Sequence, residues 1–497
     1  MSGPPAGANT AGGFFSLADE RLKLGGEEYS PAMLQKIEYA GGNNRAFETA
    51  AASLDRLAEC QVNARQVERI TQRLGKERAD ARDKSAAAME ARQLRSRYKQ
   101  APAMGVISVD AGKAQFREEG KGPGVHAPHW GDTKVACLQT YADVQHTCDP
   151  QPDPPRAFVD PERVERLCRE MAKVRGSDDK ASPGGGKSSA DRPPGEKEKS
   201  KAKQSKARKR NKKKPDRRLV RTVVATTQGV EAFGWMVSAE AMSRKFYAAP
   251  KRAIVGDGGN WIGPMADLHF SGWIQILDFL HLLVHLFAAA RLTHAGDPKA
   301  AWTLYEQMLR DAWAGRVQQV LDTLRSQLDL LKGKASSESR RVLGLTIAYV
   351  ERNRERMDYP RYRQLGLPVG SAMVESLIKQ MNHRVKGTEQ FWTDNGLEAV
   401  LQVRAAYLSQ DDRAEKHHEQ RPRRPAVGGN RIPNRNRNDG RTPCSNSHLQ
   451  PSIALVRSAN PARRRPGPPQ PPPDRPASPG KALRPAMTRT VETARRI

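Results

Sequence analysis

Apolar positions follow two rhythms along this chain, and the change between them divides it. From Arg45, RAFETAAASLDRLAEC sets Phe47, Ala51, Leu54 and Leu57 at helical spacing. QVNARQVERITQRLGKERAD then places Val67, Ile70 and Leu74 on one face, with Asn63 as N-cap and Gly75 as the stop. Two short helices with a tight turn, the second bearing Arg65, Arg69, Gln72 and Arg73, have the form of a helix-turn-helix. A small helical cap with a solvated basic face is the blander alternative. Near residue 105 the rhythm becomes short β-branched runs. GVISVDAGKAQFRE reads as strand, Gly-containing connection and strand, TKVACLQTYADV as another strand, and RTVVATTQG as a fourth apolar segment leading into a helix. KRAIVGDGGNWIGPMADLHFSGWIQILDFLHLLVHLFAAARL adds two strands and a long apolar helix. A meander followed by strands alternating with helices predicts a mixed α/β sheet.

The predicted organisation is a flexible Gly-rich stretch over 1–44, a helical DNA-binding segment over 45–100, and a first α/β part over 101–292. A basic, disordered loop at about 175–218 interrupts that part: ASPGGGKSSADRPPGEKEKSKAKQSKARKRNKKKPDRR has no apolar period. Residues 293–360 return to helical spacing as an insertion, 361–410 hold a final helix, and 411–497 turn to Pro, Arg and Asn as a disordered tail.

Composition sharpens the partner. The 84 Lys and Arg against 55 Asp and Glu give a net charge of +29, which favours a polyanion. Cys60, Cys137, Cys148, Cys168 and Cys444 include no CxxC and are odd in number, so neither a zinc ribbon nor a disulfide framework is indicated. The run Ile274 to Leu292 contains Asp278, His281 and His285, which argues against a membrane span. No signal-peptide pattern opens the chain, and the expected location is the cytoplasm.

Three acids carry the candidate chemistry. Asp110 ends VISVD and Asp257 ends IVGD, each delivered by a strand end. Glu375 lies in GSAMVESLIKQ, about one turn into a helix with Ser371 as candidate N-cap. Each has a plainer reading: a turn-initiating Asp before Ala-Gly, an Asp in a glycine turn, and an i,i+4 Glu–Lys pair with Lys379. Asp278, His281 and His285 fall near one helical face; zinc is conceivable there, but HxxxH lacks the glutamate of HExxH, and packed or hydrogen-bonded structural histidines are the preferred reading. The order strand-Asp, strand-Asp, helical insertion, helix-Glu is what a ribonuclease H-like nucleotidyl-transfer domain requires.

VISVDAGKAQFRE, GDTKVACLQTY, VGDGGNWI, ILDFLHLLVHL and VGSAMVESLIKQMNHRVKGTEQFW resemble the ISKra-type transposases of bacterial insertion sequences, over about residues 45 to 410. The last block, with NGLEAVLQVRAAYLS, is the most specific element. The resemblance implies a DDE transposase with a ribonuclease H-like core, in which Asp110, Asp257 and Glu375 hold two Mg²⁺ ions, with Mn²⁺ as a substitute. It implies cleavage at element ends and strand transfer into target DNA, with no covalent enzyme–DNA intermediate. Asp278 and His281 match the C/D-x-x-H element of Mutator-like relatives, where it supports the active site, and Trp392 matches the tryptophan near that site or the DNA end. The partners it implies are double-stranded DNA and a second copy of the chain, since two ends must be paired in the bacterial nucleoid. Arg65, Arg69, Arg73, Lys379, Arg384 and Lys386 are the expected phosphate contacts. Ala372, Leu280 and the WIG ending depart from the family pattern without touching an acid. A related nuclease without strand transfer, a catalytically inactive DNA-binding protein and a plain scaffold are the competing readings.

Overall fold

Alternation of side chains along the strands explains why the sheet is covered on both faces. The computed structural model describes residues 29–118, 120–122, 124, 126, 127, 129–175, 218–331, 337–387 and 390–421, all within a unit spanning 1–429. The basic segment 176–217 and the tail beyond 421 lie outside the described residues. Strands β1 (Met104–Phe116), β2 (Trp130–Tyr141), β3 (Arg218–Thr226), β4 (Lys251–Gly256) and β5 (Ile274–Leu277) form one mixed sheet in the order β3-β2-β1-β4-β5. β1–β2 and β2–β3 are antiparallel, whereas β1–β4 and β4–β5 are parallel. A short β6 (Phe391–Trp392) pairs with the far end of β1.

Ile107 and Val109 of β1 pack in one cluster with Phe233 and Met236 of α5 (Val230–Ser243) and Met265 of α6 (Ile262–His269). On the opposite face, Val106 packs with Leu282 and Leu286 of α7 (Phe279–Thr293), and Ala114 with Leu377 and Ile378 of α12 (Ala372–Val385). α13 (Asp394–Leu408) completes that second face beside β3. Edge strand β3 does not offer a bare ladder: Ser409 Oγ accepts from Val223 N at 3.0 Å, and Gln402 Nε2 donates to Ala225 O at 2.6 Å. Helices α8 (Pro298–Trp313), α9 (Val317–Leu330), α10 (Ser337–Asn353) and α11 (Tyr359–Gln364) follow α7 and share its core through Tyr305, Leu309, Leu324 and Val350. No helix among the described residues is long and apolar enough to cross a membrane.

The N-terminal region is helical and joined to the sheet domain. α1 (Pro31–Asn43), α2 (Phe47–Ala58) and α3 (Ala64–Glu90) enclose Leu34, Ile37, Leu54, Val67, Ile70 and Leu74. Asn63 caps α3, accepting from Gln66 N at 2.8 Å. Three sequence expectations change here. Residues 31–43 form a buried helix rather than flexible chain. Gly75 does not stop α3, which runs 27 residues; a Cβ there would run into the Ala399 carbonyl, so the glycine lets α3 lie flush on α13. The chain after 411 continues as α14 (Arg413–Gln420), held by ion pairs such as Arg421–Glu77 at 2.6 Å.

Candidate metal centre at the strand edge

Strand register builds the site. Val109 pairs with Gly256, and Gly256 with Leu277, so Asp110, Asp257 and Asp278 are the next residues on three adjacent strands. Adjacent strands lie about 4.8 Å apart, which sets the three acids in a row. Asp278 N donates to Gly256 O at 2.8 Å, continuing the ladder by one bond. Asp110 shares the parity of Val106 and Ala114 and therefore faces α7 and α12. Contrary to expectation, Asp110 does not end its strand. β1 passes through Gly112, where a Cβ would sit 2.8 Å from Thr133 Oγ1, so the glycine permits close pairing and makes no turn. β4 does stop before Asp257, and Gly258 turns the chain at φ +78°.

Asp278 then opens α7. Its Oδ1 accepts from Leu280 N at 3.0 Å, and its Oδ2 lies 2.6 Å from His281 Nδ1. Ser371 was the expected N-cap of α12, but its hydroxyl makes no cap hydrogen bond and instead donates to Asp278 Oδ2. A fully buried carboxylate needs donors more than an exposed helix end does, and this bond pins the start of α12 to the end of β5. Phe279 N to Val369 O at 3.0 Å fixes the same junction. Glu375, one turn on, comes to 3.9 Å from His281 Nδ1. Asp278, His281 and Glu375 offer ligand atoms within 4.8 Å of one another and could hold one metal ion. Among the described residues Asp110, Asp257 and Glu375 do not close into an equally tight trio.

The electrostatics are those of crowded, sheltered acids. Burial, then the Asp257 charge, pushes Asp110 up to about 7, against the opposing pull of His281. Burial and the Asp278 carboxylate raise Glu375, with His281 and Lys379 opposing. For Asp278, burial works upward, but the His281 and Ser371 bonds outweigh it and hold the group below its usual range. Burial works downward on His281, yet Asp278, Asp110 and Asp257 together raise it. In the metal-free site the protonated imidazole bonded to Asp278 is thereby favoured. Glu375 Oε1 is buried with no hydrogen-bond partner, an acceptor a cation would satisfy. Acid oxygens of this kind are the donors a hard divalent cation takes, so the residues fit Mg²⁺ or Mn²⁺.

The other expected residues divide. Arg65 and Arg69 are exposed on α3 and Arg73 is half-buried. Lys379 is exposed and 3.9 Å from Glu170, and Lys386 lies over the Trp130 ring at 5.0 Å. Arg384 is corrected: it is 1% exposed, donates to Gly41 O at 2.8 Å and sits over the Phe47 and Trp392 rings, so it ties α12 to the N-terminal helices and cannot reach a phosphate. Trp392 stands away from the acid row. It packs in the core with Leu377 and Leu397, its indole donates to Val385 O at 2.8 Å, and it pairs with Phe116. That is six residues along β1 from Asp110, about 20 Å.

One contributor escaped the sequence reading, and it packs on a histidine that the reading took as structural. Tyr349 of α10 donates its hydroxyl to Asp257 O at 2.7 Å, and His285 stacks on its ring at 4.2 Å. The separation of Tyr349 from Asp257 in the chain leaves no local signal for it. No protein-family model matches the chain, and no significant relative is found among curated proteins.

Proposed function

We propose that this chain is a DDE transposase with a ribonuclease H-like core, cutting DNA at the ends of a mobile element and joining the freed 3′ ends to target DNA. One observation carries the reading: Asp110 and Asp257 stand side by side at the ends of paired parallel strand segments, and a helix after a helical segment brings Glu375 to Asp278 and His281, the next members of that acid row. The mixed sheet, that order of acids and the quoted motifs support it together. Asp110, Asp257 and Glu375 would hold two Mg²⁺ ions, which Mn²⁺ can replace. When bound, the ions supply an activated water and neutralise charge on the leaving 3′ oxygen.

The chain's own residues prepare that chemistry. Asp278 and His281 are hydrogen-bonded next to the acids, and the imidazole opposes the crowding of Asp110 and Glu375. Ser371 holds Asp278 and, with it, the helix that carries Glu375. Arg65, Arg69, Lys379 and Lys386 are exposed or half-exposed cations for phosphate, in a chain of net charge +29. Pairing two DNA ends calls for at least a dimer.

Incubation with Mg²⁺ or Mn²⁺ and DNA carrying the flanking ends of the encoding locus tests the proposal. Nicked and joined products, both lost in Glu375→Gln, are expected. Nicking without joining would reduce the reading to a nuclease. Binding of ends without chemistry would leave a catalytically inactive DNA-binding protein.

A further inference from the structure

The turn that carries Asp257 leans on a distant helix. Tyr349 holds the Asp257 carbonyl, and Gly258 is nested so closely that a Cβ would lie 2.9 Å from the Tyr349 ring and 3.0 Å from Asn353 Nδ2. One residue further on, Arg352 Nη2 donates to Gly258 O at 3.3 Å, with its guanidinium 5.9 Å from the Tyr349 ring centre. Arg354 and Arg356 follow on the 3₁₀ turn that ends α10. Arg352 and Arg354 are exposed and Arg356 is half-buried.

These arginines differ from others in the same helical segment. Arg310 is bonded to Glu306 at 2.6 Å and Arg316 to Asp311 at 2.8 Å. Arg352, Arg354 and Arg356 form no ion pair among the described residues, although Asp257 is next to Gly258. A flexible arginine beside an acid cluster ordinarily swings onto a carboxylate. The backbone carbonyl and the aromatic ring hold Arg352 off the acids with donors still available. Its planar fork of donors suits a phosphodiester, which it can bind bidentately.

We propose that Arg352, seconded by Arg354 and Arg356, is a phosphate clamp that seats the nucleic-acid backbone against the acid row beside Asp257. The clamp rests on the reading of that row as a phosphodiester-cutting centre. Its position on the helical segment gives that segment a direct part in substrate binding. The Gly258 bond couples clamp to site: a backbone gripped by Arg352 presses on the turn that aims Asp257.

Arg352→Ala and Arg352→Lys in the full chain test this by fluorescence anisotropy with a labelled DNA duplex in EDTA, titrated from about 50 to 200 mM salt. Losing one phosphate contact should lower the log–log salt slope by about one and weaken binding about fivefold at 0.15 M salt. Arg352→Lys should recover the slope, because it keeps the charge, while cutting more slowly because it loses the Gly258 bond. Urea midpoints equal to wild type show that the exposed side chain is not a folding element. Cleavage is measured in parallel. Weaker binding by Arg352→Ala supports the clamp even if wild type fails to cut, an outcome that would sink only the transposase reading. Slope and affinity equal to wild type, or a wild type that binds no duplex, overturn the clamp.

Discussion

Asp110→Asn removes a charge that the metal-free fold holds unfavourably, and the size of the effect follows from the site. The carboxyl moves from 3.8 to about 7 because it is buried and faces the Asp257 and Asp278 charges, which His281 and the Ala111 amide only partly offset. Each pH unit is worth about 1.4 kcal/mol, so the ionised group destabilises the fold by about 4 kcal/mol in full. A raised carboxyl favours the folded state fully below its unfolded value, and that advantage is lost as pH rises to about 7. Asparagine has the same shape and no charge. Its stability relative to wild type should therefore grow by about 3 kcal/mol between pH 5 and 8, the two units from 5 to 7 accounting for the gain. Urea unfolding in EDTA, followed by tryptophan fluorescence at both pH values, measures the gap, provided the m-values agree. Mg²⁺ at pH 8 should raise the wild-type midpoint and leave the variant's nearly unchanged. A gap independent of pH, or a variant less stable than wild type at pH 8, would refute the crowded-acid reasoning.

Other outcomes follow from single contacts. Ser371→Ala takes a charge-assisted bond from the buried Asp278 carboxylate and should cost about 1.5–3 kcal/mol in urea unfolding; a change below about 0.5 kcal/mol would place the hydroxyl outside the junction. Glu38 is buried, yet hydrogen bonds from His418 and Arg78 carry it down to about 2, so its contribution is complete above 4.5 and lost as pH falls toward 2. Glu38→Gln should cost about 3–5 kcal/mol at pH 7 and flatten the acid limb of a stability–pH profile; an unchanged limb would count against it. Gly258→Ala puts a Cβ at φ +78° into Leu277, Tyr349 and Asn353 and should lower the urea-derived stability by about 1–3 kcal/mol. A melt matching wild type would mean that the turn relaxes.

What was readable in the sequence is what local physics writes there. β-branched runs gave strands, Asn63 gave a cap, and Asp110, Asp257 and Glu375 stood out by their positions within those elements. The row of three acids was not readable, because register between β1, β4 and β5 is set by packing far apart in the chain. Asp278 was therefore read as a helix residue among histidines that supports the site, while the register that sets it beside Asp257 stayed hidden. Glycines misled for a related reason: Gly75 and Gly112 look like breaks, yet each makes room for the Ala399 backbone or the Thr133 side chain. Arg384 looked like surface charge, but its guanidinium is buried against Gly41 O, Arg45 O and two rings. α14 has little apolar period and is fixed by a His418–Glu38 hydrogen bond and by ion pairs of Arg421 with Glu77 and Arg413 with Glu240, all far apart in the chain.

Anomalous scattering from Mn²⁺ in crystals of the protein with duplex DNA tests the central claim most directly, because it reports which acids take the cation. The account predicts density held by Asp110 with Asp257 and Glu375, while His281 remains bonded to Asp278. Metal bound by His281 together with Asp278, or no metal at the strand edge while DNA is bound, would contradict it.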